Sequence, residues 1–168
     1  MVSLLSLLSL TFLLGGSHAT DGYEWAGIFK IPSGTSSLVW RMQKVGGGIL
    51  RGAAYAKPSM KMVILPIYQD DQDGENKNCT EANLHAVEAT GWPAHKISAD
   101  CTEQKNGNTL NPDMKACFNL VADNTASASL FKIDVTDMSC IAVFTEHDPE
   151  KLVQNRHYLD AERITDEL

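Results

Sequence analysis

After Leu14 the sequence has no apolar run long enough to cross a bilayer, and nowhere does it cluster Lys and Arg. The first absence removes membrane-spanning helices from the expected mature chain. The second argues against nucleic acid and against anionic membrane surfaces, since both need basic patches. The charge balance points the same way: 14 Lys and Arg face 21 Asp and Glu, a net charge of −7. Several catalytic signatures are also missing. No G-x-S-x-G, no G-x-x-x-x-G-K-[ST] and no G-x-G-x-x-G after a strand occurs, which removes the usual nucleophile elbow, phosphate loop and dinucleotide fingerprint. Gly46-Gly47-Gly48 has neither the Lys nor the Ser/Thr of a phosphate loop and reads as a flexible turn. No C-x-x-C spacing exists to hold a structural zinc. No Met follows Cys140 and His147, so a type 1 copper site is unsupported.

What is present begins with a leader. Residues 1–19 run through an apolar stretch from Leu4 to Leu14 and end in Ser17-His18-Ala19, with small residues at the −3 and −1 positions of a cleavage site. This predicts a secretory signal peptide cut after Ala19, and a single β-rich secreted domain over residues 20–168. In an oxidising compartment the even set Cys79, Cys101, Cys117 and Cys140 predicts two disulfides. Three connectivities are open. The polar, turn-rich segment between Cys101 and Cys117 favours that pair, leaving Cys79 with Cys140. Asn78-Cys79-Thr80 is a glycosylation sequon at Asn78. The chain closes on Asp166-Glu167-Leu168, like ER-retrieval signals but with Thr165 where Lys or His is usual. Secretion is the expected location and the ER lumen the alternative.

The dominant period is 2. Residues 24–31 (EWAGIFKI) and 38–45 (LVWRMQKV) alternate apolar and polar side chains, placing Trp25, Phe29, Trp40 and Met42 on buried faces. The turn chemistry of Pro32-Ser33-Gly34 between them predicts a hairpin. Residues 61–68 (KMVILPIY) are apolar on both faces, as a central strand requires. Residues 116–122, 129–135 and 140–145 supply three more strands, the last two joined by a predicted hairpin loop at 136–139. Weaker strand candidates lie at 95–98 and 109–110. Helix is predicted over 80–90, stopping at Gly91-Trp92-Pro93, and from Asp148-Pro149 to about Leu159. Short strands spaced by turns predict a mainly β fold: an antiparallel two-sheet β-sandwich, immunoglobulin- or cupredoxin-like in architecture, with a short C-terminal helix.

Polar chemistry concentrates near the C-terminus, where His147, Glu150 and His157 sit among carboxylates. A strand end followed by a returning helix face brings these three together as a divalent-metal site, and His with carboxylate suits zinc or copper(II). Glu146 is the candidate general base if such a site were catalytic. The plain alternative makes the same residues polar loop and cap positions. An acidic stretch around Asp71 and Asp73 resembles a calcium loop but has Gln69 at the first ligand position and Thr80 at the last. It reads as a solvated loop, so calcium ranks below zinc and copper. Trp92, in its Gly-Trp-Pro turn, is the candidate stacking surface for a sugar or a partner. The expected function is a non-enzymatic extracytoplasmic binding module for a metal, a small ligand or a protein partner. A metal-dependent enzyme and a carbohydrate-binding sandwich are the alternatives.

Overall fold

A computed structural model describes residues 22–45, 53–68, 79–149 and 158–163. In chain order it contains β1 (Trp25–Lys30), β2 (Ser37–Val45), β3 (Ala54–Tyr55), β4 (Ser59–Tyr68), α1 (Glu81–Ala89), α2 (Trp92–Ser98), β5 (Thr102–Gln104), β6 (Thr109–Leu110), β7 (Phe118–Val121), β8 (Ala128–Asp134), β9 (Met138–Thr145) and β10 (Glu162–Arg163). Two sheets pack together, one ordered β10-β1-β9-β4-β7-β5 and the other β3-β2-β8-β6. The fold is mainly β and sandwich-like, as expected, but the sheets are mixed: β5 runs parallel to β7, and β6 parallel to β8.

Neither predicted hairpin forms. β1 pairs with β9 from Trp25↔Thr145 to Lys30↔Cys140, while β2 pairs with β8 from Ser37↔Asp134 to Gln43↔Ala128. The segments between β1 and β2 and between β8 and β9 are corners that carry the chain from one sheet to the other. They run side by side, with Ile31 N donating to Ser139 O and Val135 N donating to Ser36 O. The ladder therefore bends continuously around the edge of the sandwich. The reason lies in the apolar faces: Trp25 and Phe29 of β1 and Leu38, Trp40 and Met42 of β2 all belong to one inter-sheet core. A flat hairpin would set the two strands side by side in one sheet, whereas a corner lets their apolar faces meet across the core.

The six-stranded sheet is buried on both faces. Its inner residues, including Met60, Met62, Ile64, Ile141 and Val143, meet the four-stranded sheet. Its outer residues Ile28, Val63, Ala142 and Phe144 pack under Leu84 and Ile97 of the two helices. This accounts for the two-sided apolar character of residues 61–68, since β4 lies inside the sheet between β9 and β7. The cross-section is thus helices, six strands, four strands.

α1 matches the helix predicted over 80–90. Thr80 caps it by accepting from Asn83 N at 3.2 Å, and Gly91 leaves it with φ +68°. The chain does not continue as a strand, however. Residues 95–98 are helical, within α2, because Pro93 fits a first turn and Pro93, Ala94 and Ile97 bury against the sheet. At the C-terminus, residues 150–157 lie outside the described residues. Where the predicted helix would end, Leu159 instead forms a bridge with Trp40, and β10 pairs with β1. Tyr158 fills an aromatic nest, 5.5 Å from Trp25 and 5.3 Å from Trp40.

Candidate functional site

The segment carrying α1 and α2 is tied to the six-stranded sheet at both ends. Cys79, just before α1, is bonded to Cys140 of β9, and Cys101, just after α2, to Cys117 beside β7. This is the pairing that the loop between Cys101 and Cys117 favoured. A third tie comes from the N-terminal side. The Tyr23 hydroxyl donates to Glu88 Oε1 of α1 at 3.1 Å, and its ring stands edge-on to Phe144 at 5.5 Å. Gly22 passes so close to α2 that an added Cβ would lie 2.8 Å from the Ala94 carbonyl oxygen.

Under α1 these ties hold open a cleft of about 520 Å³. Its floor is a row across three strands in which Ala142 of β9 stands between its register partners, Ile28 of β1 and Leu65 of β4. Its roof is α1, which buries only Leu84 fully and Val87 partly. A sheet face this apolar needs a bulky cover, and α1 turns only Leu84 and Val87 onto it, while Ala82, Ala86 and Ala89 are exposed. The small side chain in the floor and the thin apolar face of the roof leave the gap. Leu65 in the floor is half-buried, as are Pro66 and Ile67 toward the edge, where Tyr68 is 57% exposed.

The residues singled out from sequence lie elsewhere. His147 sits in the turn after β9, where Thr145 Oγ1 donates to its carbonyl oxygen at 2.7 Å. Its Nδ1 lies 3.8 Å from Glu24 Oε1 and its Nε2 3.8 Å from Glu146 Oε2. Glu146 Oε2 also accepts from Lys61 N at 3.3 Å, and Asp148 N donates to Glu24 Oε2 at 3.4 Å, so the turn is pinned to β4 and to the start of β1. Among the described residues no three His, Cys, Asp or Glu side chains are placed to hold a metal ion. Glu150, His157, Asn78, Asp71 and Asp73 lie outside the described residues, as do the leader and the Asp-Glu-Leu terminus. Trp92 is half-buried at the start of α2 and packs on the outer-face cluster.

Sequence reasoning passed over the cleft. The available signal was a strand apolar on both faces, residues 61–68, together with a helix at 80–90 whose large apolar residues are only Leu84 and Val87; neither points to a site until the two are known to face each other. The fold and cleft describe a disulfide-tied, mainly β protein with a helix-roofed apolar site. Comparison with protein-family models, with curated proteins and with solved structures finds no match for this chain.

Proposed function

We propose that this chain is a non-enzymatic binding module of the extracellular space or secretory pathway, whose ligand occupies the cleft between α1 and the six-stranded sheet. One observation carries the reading: a cleft of about 520 Å³ floored by Ile28, Ala142 and Leu65. Ligand pockets of small molecules fall in the range of about 300–1,000 Å³ and are lined mainly by apolar side chains with few polar groups. The two disulfides are compatible with the location, and among the described residues no helix is long and apolar enough to cross a membrane.

Titration of the disulfide-intact protein with the neutral dye Nile red tests the reading. Saturable, blue-shifted fluorescence is expected. Ala142→Phe, which fills the floor, and Ala86→Trp, which narrows the mouth from an exposed position, should each weaken it. Dye binding that neither variant alters would place the ligand elsewhere and overturn the reading. A second reading is favoured by His147 and its flanking carboxylates: a zinc or copper(II) site formed by His147, Glu150 and His157, with Glu146 as base if the site were catalytic.

A further inference from the structure

We infer that the cleft selects an uncharged, predominantly hydrocarbon ligand and discriminates against the carboxylate of the same chain length. The inference rests on the binding reading above and names its ligand class. The cleft lining, among the described residues, contains no Lys, Arg, His, Asp or Glu. Its polar side chains are those of Asn83, Thr90 and Tyr68. The Thr90 hydroxyl already donates to Val87 O at 2.6 Å and accepts from Trp92 N at 3.1 Å, so its proton is not offered to an anion.

Nor does the backbone supply a positive site. The floor is made by β9 between β1 and β4, and its ladders run through Ala142 on both sides. Its amides are therefore spent within the sheet. The N-terminus of α1 is capped by Thr80 and carries Glu81 in its first turn, which offsets the partial positive charge there. Among the described residues the nearby basic side chains are engaged: Lys61 Nζ donates to the carbonyl oxygens of Ile97 and Ala99, and His85 Nδ1 lies 2.7 Å from Glu88 Oε2. Among the described residues, a carboxylate drawn into this cleft would lose its hydration without gaining a counter-ion, the costly case for a buried charge. A neutral chain meets a mainly apolar surface.

The test is displacement of Nile red by decanol and by decanoate, at a pH well above the carboxyl range, on wild type and on Asn83→Lys. Asn83 is exposed on α1 at the cleft edge, so the substitution leaves the core untouched. Decanol should displace the dye at a concentration at least about tenfold lower than decanoate, the factor that 1.4 kcal/mol of unpaired charge produces. In Asn83→Lys that gap should close, because the ammonium supplies the missing partner. Equal displacement by both ligands in wild type, or a gap that Asn83→Lys leaves unchanged, would overturn the inference while the binding reading stands. Dye that binds but yields to neither ligand would exclude hydrocarbon chains and overturn it too. Failure of Nile red to bind saturably would remove the binding reading itself.

Discussion

Removal of the Cys79–Cys140 bridge, by Cys79→Ala together with Cys140→Ala, should be the most damaging change to the helix-roofed side of the molecule. The two disulfides are nested, with sequence separations of 61 and 16. With Cys101–Cys117 intact, the outer bridge closes an effective loop of about 45 residues, for which the chain-entropy relation gives about 4 kcal/mol. The inner bridge, by the same relation, contributes about 3 kcal/mol. Against a typical total stability of about 5–15 kcal/mol, either loss is large. The outer one should move the urea midpoint down by about 2 M, taking a slope of about 2 kcal/mol per molar. A local effect should accompany the global one. α1 spans nine residues and buries only Leu84 fully, too little for a helix of that length to persist untethered. Amide exchange in α1 should therefore become nearly unprotected in the Cys79→Ala/Cys140→Ala protein while β2 and β8 keep protection in the inter-sheet core, and Nile red binding should fall with it. The reasoning is refuted if loss of Cys101–Cys117 lowers the midpoint more than loss of Cys79–Cys140, or if α1 retains its protection without its tether.

Gly27 should resist even the smallest side chain: a Cβ there would lie 2.5 Å from Trp25 Cη2 and 3.2 Å from Phe29 Cε2. Gly27→Ala should cost about 1–3 kcal/mol by overpacking, with a changed near-ultraviolet circular dichroism as the indole shifts; an unchanged spectrum and melting temperature would contradict the packing described. The Thr136 hydroxyl and then its amide hold the Asp134 carboxyl below the usual carboxylate range, donating at 2.7 and 3.0 Å. Because the folded value is depressed, this contribution is fully present above the unfolded value of about 3.9 and is lost as pH falls through the lower folded value. The melting-temperature deficit of Thr136→Ala should thus be present at neutral pH and shrink in acid; a deficit that grows in acid would reverse the sign. The metal reading predicts that zinc or copper(II) binds tighter than millimolar by calorimetry, that His147→Ala and His157→Ala each abolish this, and that substituting Asp71 and Asp73 together does not. Wild-type binding no tighter than millimolar would leave the C-terminal cluster as loop and cap residues.

Most of the strands were legible in the sequence because their signals are local: alternation at period 2, carried by Trp25 and Phe29 and by Leu38, Trp40 and Met42, and the run at 61–68 that is apolar on both faces. The disulfide pairing was legible for a related reason: a short polar loop already brings Cys101 and Cys117 together. The candidate site was not legible, since the cleft depends on Ala142, Leu65 and Leu84 meeting from three separate elements. The segment at 95–98 shows the limit of local preference, for its helix is set by Gly91, Pro93 and the burial of Ile97. The two corners show the limit of periodicity. Alternation told which side chains of β1 and β2 seek a core, and the turn residues between them told that the chain reverses. Whether that reversal makes a hairpin in one sheet or a bend between two was decided by β8 and β9, about a hundred residues further on, whose hydrogen-bonding edges and apolar faces offered each strand a closer partner than its neighbour in sequence.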